Sequence, residues 1–397
     1  MKHHSSRDPQ LGQSVVAGVI TAVVGFTSSF AVVLAGLDRV GASPGDAASG
    51  LLVVTTTMGL GCLLFSWRTR IPVTIAWSTP GAALLAGATV PDGGYADAVG
   101  AFALAGLLYV ATGLVRPLGD LVRRIPTSLA NAMLAGVLLT LCVQPFLAVV
   151  DEPGAVAPVL VVWLVLLRVA RRWAVPGAFA TAIVVIVASG SLTEVAAGDL
   201  APTLTWTTPA FDLATMVAIG VPLYLVTMTS QNIPGVAVLG SFGYRAPLAP
   251  ALRYTGVATV ATAPLGGFSI NLGAITAAIS AGPTAGEDPA RRWVAGVSTG
   301  ITYMLLGPLT ALVTTVSAVA PAGVIATVAG LALIGTFGSA AASALGDEDF
   351  REAAAVTFVV AASGLTVAGV GAAFWALLAG GVFLLVVRVG AAPPASR

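Results

Sequence analysis

The sequence predicts an all-α polytopic membrane protein with fourteen transmembrane segments in a 7+7 inverted repeat. Three observations lead there. First, the 397 residues are 57% hydrophobic and only 9% charged, against about 25% charged in an average soluble domain. So few charges cannot cover the surface of a soluble chain this long. Second, apolar stretches recur from one end to the other: 13–36, 45–66, 72–88, 95–115, 126–147, 156–170, 175–191, then 210–231, 248–263, 265–282, 292–314, 321–344, 352–369 and 371–388. Third, with the N-terminus inside, seventeen of the eighteen Lys and Arg residues fall on the inner side and only Arg39 falls outside. That is a strong positive-inside bias, and it places both termini in the cytoplasm.

In chain order, residues 1–12 form a polar tail, 13–191 the first repeat, 192–209 an extracytoplasmic linker, 210–389 the second repeat and 390–397 a second tail. Seven spans per half is an odd number, so the second half enters the bilayer with opposite orientation, as in many secondary transporters. Both histidines, His3 and His4, sit in the first tail and read as part of it, so no metal site is expected. Cys62 and Cys142 lie in apolar runs, which excludes a disulfide scaffold. A net charge of +1 gives nucleic acid nothing to bind. No span centre carries Asp, Glu, His, Lys or Arg, so the acids, bases and activated nucleophiles of an enzyme are missing. There is no P-loop, so ATP is not the direct energy source. No cofactor is called for.

The third span of each half is the informative one. IPVTIAWSTPGAALLAGA (71–88) and APLGGFSINLGAITAAISAGP (263–283) each begin extended, pass a polar pair and continue as an Ala-rich helix. Ser78-Thr79-Pro80-Gly81 has a hydroxyl cap and proline in the first turn, the marks of a helix start. In the second half Asn271 or Ser269 is the expected cap. A span too short to cross as helix can cross as strand plus half-helix where the irregular backbone is buried in protein or lines a cavity. Because the halves are inverted, both half-helix N-termini then point at mid-bilayer. Each carries roughly half a positive charge, which suits a monovalent anion.

Polar side chains within the spans are few. Ser28 and Ser29 in the first span match the depth of Gln231 and Asn232 in the eighth, where Pro234-Gly235 is expected to interrupt the helix. Four elements are therefore expected to converge: Ser28 and Ser29; Trp77, Ser78 and Thr79; Gln231 and Asn232; and Ser269, Ile270, Asn271 and Leu272. Trp77 and Phe268, just ahead of the two half-helices, are placed to stack on a flat ring. Asn131, Gln144 and Thr55–Thr57 read as helix packing.

These blocks, TSSFAVVLAGL (27–37), TIAWSTPGAALLA (74–86), SQNIPG (230–235), GGFSINLGAITAAI (266–279) and the segment 351–381, resemble the BenE family of benzoate–proton symporters over essentially the whole chain. The resemblance implies the uracil-permease and sulfate-permease fold, with segments 1–4 and 8–11 as core and 5–7 and 12–14 as gate. It also implies residence in a bacterial cytoplasmic membrane. Nucleobase permeases of this fold use acidic residues where this chain has Gln231 and Ile270. The implied activity is import of benzoate or a similar aromatic monocarboxylate with protons, by alternating access. A nucleobase or inorganic-anion transporter of the same fold, or an anion channel, are the other readings. The expected partners are the aromatic carboxylate, protons and the lipid bilayer, and a homodimer is allowed.

Overall fold

The computed structural model describes residues 9–115, 117, 126–191, 201–274, 276–367 and 371–390. The tail with His3 and His4, residues 192–200 of the linker and residues 391–397 lie outside them.

Seven helices among the described residues are long and apolar enough to cross a membrane, and shorter elements cover the remaining apolar stretches. The first span is α1 (Pro9–Thr27) and α2 (Phe30–Arg39), broken at Ser28-Ser29. Both serine hydroxyls there donate to Gly25 O (3.2 and 3.3 Å), a local bond that competes with the helical ladder. α3 (Pro44–Thr69) starts at a complete capping box between Ser43 and Asp46. Then come β1 (Ile75–Trp77), α4 (Thr79–Ala86) and α5 (Tyr95–Leu114), followed by α6 (Thr127–Asp151), α7 (Pro153–Val169) and α8 (Ala174–Ala188).

The second half repeats this order. α9 (Leu213–Ser241) is followed by α10 (Leu248–Thr262), β2 (Ile270–Leu272) and α11 (Ala277–Ala281). The rest is α12 (Trp293–Leu306), α13 (Thr310–Ala318), α14 (Val324–Leu345), α15 (Arg351–Ala362) and α16 (Ala372–Gly390). Two expectations are corrected here. Pro234-Gly235 does not break α9; the helix runs through to Ser241, and the irregularity is a π turn just before it, at Met228–Asn232. The wider turn, in which Ile233 N–H donates to Met228 O five residues back, brings Pro234 into the first turn of the following α segment, where its missing N–H costs little. The second half-helix begins at Ala277, not beside Asn271, because Ile270–Leu272 is committed to a strand.

The core is built from the elements of both halves through α10 and α12. α3 lies on α12 where Gly59 and Gly300 meet: a Cβ on Gly300 would sit 2.6 Å from Gly59 O, and one on Gly59 would sit 2.8 Å from Gly300 O. α5 lies on α10 in the same way through Gly106 and Gly256, at 2.9 and 2.6 Å from each other's carbonyl oxygens. The second pair is the inverted counterpart of the first, because the second span of one half packs on the fourth span of the other in both. α6–α8 and α14–α16 form a separate layer, the gate. There α6 packs on α14 and α15, α15 on α16, and α7 on α8.

At the centre of the core β1 and β2 pair antiparallel, Ile75 with Leu272, Ala76 with Asn271 and Trp77 with Ile270. The ladder extends at both ends, Ser78 N–H donating to Ser269 O (2.9 Å) and Gly273 N–H to Thr74 O (2.8 Å). On its other flank β1 is tied to α3, with Ile75 N–H donating to Cys62 Sγ (3.0 Å). Non-helical backbone inside an apolar protein survives only when its polar groups are paired like this.

Candidate functional site between core and gate

α4 begins where β1 ends. Ser78 Oγ accepts from Gly81 N–H (3.0 Å), and Pro80 contributes no N–H. Thr79 is therefore the first-turn residue whose N–H the cap does not use. Ser78 is itself held deep in the core: its hydroxyl bonds to that of Thr227 (2.6 Å), midway along α9. Thr227 also accepts from Ser269 (3.3 Å), and Ser269 bonds to the Tyr109 hydroxyl (2.6 Å) from α5. This chain of four buried hydroxyls links α5, β2, α9 and the start of α4.

A cavity of about 780 Å³ lies between core and gate, room for roughly two dozen waters. Its core wall carries Ser28, Ser29, Trp77, Thr79, Pro80 and Gln231. Five of the sequence-predicted site residues, Ser28, Ser29, Trp77, Thr79 and Gln231, thus meet on one surface. The Trp77 indole N–H donates to Ser29 Oγ (2.8 Å), and its ring packs at 5.4 Å, tilted, on Phe26. Gln231 Oε1 accepts from Ala274 N–H (3.4 Å). Ser230 Oγ, buried beside it, has no hydrogen-bond partner among the described residues.

The remaining predicted residues lie behind this surface. Ser78 and Ser269 are spent on the hydroxyl chain. Asn232 Oδ1 accepts from Leu272 N–H (3.0 Å) and so pins β2 to α9. Asn271 caps no helix; its Nδ2 donates to Leu272 O (2.7 Å), and its Oδ1 is buried without a partner. Ile270 and Leu272 are buried strand residues, each 1% exposed. Phe268 is buried with its ring edge-on to Phe102 at 6.5 Å, away from the cavity.

Residues the sequence did not single out complete the lining. Thr229, Ser230, Thr276 and Tyr303 come from the core, and Thr127, Thr336, Ser339 and Ser343 from the gate. Asn131 joins them, its Nδ2 donating to Ser343 Oγ (2.9 Å). The spacing of Thr336, Ser339 and Ser343 was the available signal, since residues three and four apart share one helix face. Among the described residues the cavity lining contains no Asp, Glu, His, Lys or Arg.

The two half-helices are unequal. α4 has eight residues and α11 only five, so the larger dipole is that of α4. α11 is closed at its far end by Arg292, which is buried with no carboxylate beside it among the described residues. Its guanidinium donates to Ala281 O (3.0 Å), the last carbonyl of that helix, and to Gly286 O (2.7 Å) and Glu287 O (3.1 Å) in the loop that follows.

The chain is similar throughout its length to known transporters. The benzoate membrane transport protein family, BenE, matches residues 10–386. The inner membrane protein YdcO of Escherichia coli is 38% identical over 382 residues, 95% of this chain and 96% of that protein. A benzoate membrane transport protein of Acinetobacter baylyi is 26% identical over 367 residues, covering 92% and 93%. Among solved structures, the transmembrane domain of the cyanobacterial bicarbonate transporter BicA superposes with a TM-score of 0.59 at 15% identity, covering 96% of this chain and 98% of that one. The murine anion transporter Slc26a9 in its inward-facing state gives 0.60 at 13% identity, covering 98% and 69%. At those identities the likeness is one of fold: an inverted-repeat membrane transporter. With a family match across nearly the whole chain, this integral membrane protein belongs to the BenE family of benzoate membrane transport proteins.

Proposed function

We propose that the protein imports benzoate or a similar aromatic monocarboxylate together with protons, the gate moving against the core in alternating access. The observation that carries this reading is the core wall of the cavity: the start of α4, with Thr79, shares it with Trp77 and Gln231. A helix N-terminus and a hydroxyl favour a carboxylate without a compensating cation. An indole and proline beside them suit a flat ring. The BenE family and the Acinetobacter relative are benzoate membrane transport proteins, which supports the same cargo.

The cavity reaches Thr127 and Ser343, near the helix ends from which the loop toward Arg351 departs. By the arginine bias that side is cytoplasmic, so the conformation reads as inward-facing. Past the C-terminal end of α4 and beside the middle of α6, a separate pocket of about 60 Å³ sits between the same layers, which favours a carrier over a continuous channel. With no acidic or basic side chain on the cavity wall among the described residues, the proton is assigned to the substrate's own carboxyl group, taken up once the carboxylate has bound.

Uptake of labelled benzoate into proteoliposomes with an acidic exterior tests this. Saturable accumulation that a protonophore collapses is expected. Gln231→Glu, which can keep the bond from Ala274 N–H, should cut uptake by about tenfold or more, since a second negative charge opposes the first. Non-saturating flux indifferent to the proton gradient would sink the proposal.

A further inference from the structure

Four aromatic rings form an unbroken row from the cavity wall to the gate. Trp77 packs tilted on Phe26, with ring centroids 5.4 Å apart. Phe26 stacks on Phe30 at 5.9 Å with the planes 11° apart, and Phe30 meets Phe179 at 4.5 Å, tilted by 59°. Trp77 lines the cavity, and Phe179 belongs to α8, a gate helix. The row crosses the break in the first span. Phe26 lies in the last turn of α1 and Phe30 opens α2, four residues apart and so on one face. Ser29, in the break, accepts the Trp77 indole N–H (2.8 Å). The indole is thus held at its edge by Ser29 and braced on its ring by Phe26.

Phe30 is fully buried, and Phe26 and Trp77 are each only 3% exposed. At native packing density a buried ring keeps its place only while its neighbours keep theirs. The support of Trp77 therefore ends on a residue of the gate, although Phe26, Phe30 and Phe179 all lie off the cavity wall. We propose that Phe179 is a positioning residue for the aromatic ring of the substrate, acting through Phe30 and Phe26 to hold the Trp77 indole in the orientation on which a flat ring stacks. The same row ties the ring subsite to the position of the gate. Core and gate also meet where α8 touches α1 and α14 touches α2, and a sliding of that seam moves Phe179 off Phe30. The inference rests on the reading of the cavity as an aromatic-carboxylate site with Trp77 as its ring platform.

The test is titration calorimetry of the purified full chain with benzoate and with cyclohexanecarboxylate, which keeps the carboxylate and similar bulk but has a puckered ring without a π face. The wild type should bind benzoate about three- to tenfold more tightly, the range a ring–ring contact supplies. In Phe179→Ala that ratio should fall toward the value found in Trp77→Leu, while affinity for cyclohexanecarboxylate changes little. Phe179→Tyr, which keeps the ring, should retain the wild-type ratio. Phe179→Leu keeps the apolar bulk and loses the ring; it should lower the ratio too, and it serves where the alanine variant does not fold. A loss shared equally by the two ligands is what a purely structural role gives, and it overturns the inference, as does an unchanged ratio. A wild type that binds the two ligands alike also overturns it, while saturable proton-driven uptake of benzoate in proteoliposomes leaves the proposed function standing. Absence of both binding and uptake of every aromatic carboxylate removes both.

Discussion

Thr227 holds together groups that come from four elements. Its hydroxyl meets those of Ser78 and Ser269, and through them the cap of α4 and the Tyr109 side chain. Thr227→Val keeps the shape and removes the hydroxyl, leaving two buried partners short of a bond. A loss of about 1–3 kcal/mol is expected, to be read as a lowered midpoint of thermal unfolding in detergent. The same variant should weaken substrate binding, since Ser78 then positions Thr79 less firmly; an unchanged unfolding midpoint would show the chain to be dispensable. How far the site could be read in the sequence follows from such residues. Ser28, Ser29, Trp77, Thr79 and Gln231 were legible because polar or aromatic groups at a helix interruption must face something polar or open. Ser78, Asn232, Ser269 and Asn271 show the same residue types but are turned to the interior. Sequence cannot separate the two cases, because the β1–β2 register decides which side of the strand each residue occupies. Phe268 illustrates this directly, an aromatic at the right place in the chain whose ring faces Phe102.

Helix pairs in this core approach at glycines, and the cost of filling those positions can be stated. A methyl group on Gly300 would lie 2.6 Å from both Gly59 O and Leu63 N, backbone atoms that cannot swing aside. Gly300→Ala should therefore push α12 off α3 and cost about 1–3 kcal/mol, again measured as thermal stability. Gly256→Ala, whose methyl would lie 2.6 Å from Gly106 O, should act alike in the other half. Similar losses in the two variants would reflect the inverted symmetry, whereas a normal midpoint in either would contradict close packing there. The spans were legible as elements because a membrane demands long apolar runs. The shortness of α11 and the π turn ahead of Pro234 were not, since both depend on which backbone groups the neighbouring strand and helix have already taken.

At the scale of the whole transporter the question is where a proton can ride. Among the described residues the cavity wall offers no acidic or basic side chain, and three acids at the membrane faces are tied into local structure. Asp46 completes the cap of α3. Asp288 accepts from Ala290 N–H (2.9 Å) and lies 3.6 Å from the Arg291 guanidinium. Asp212 accepts from the Thr215 N–H (2.7 Å) and hydroxyl (2.9 Å), and these bonds hold its carboxyl below the usual carboxylate range. A carboxylate with a lowered pKa stays ionised from neutrality down through mildly acidic pH, and it stabilises the cap above its unfolded-state pKa. That contribution is lost only as pH falls through the lowered value, so Asp212 carries no proton in the range where uptake is driven. Asp212→Asn is therefore expected to leave the pH profile of uptake in the same place while loosening the start of α9. A profile that flattens in this variant would identify Asp212 as the carrier instead.

The strand pair also governs how the two halves of the gene product can exist. Cut from its counterpart, either repeat would expose the edge of a three-residue strand in the middle of the hydrocarbon layer. Each unmet N–H and C=O there costs several kcal/mol. A half-length chain is thus not viable alone, and two inverted copies are the smallest self-sufficient unit. An ancestral single repeat would have needed dual topology, inserting both ways up so that its two orientations could zip together. Expressed as separate polypeptides, the halves should accumulate only when produced together.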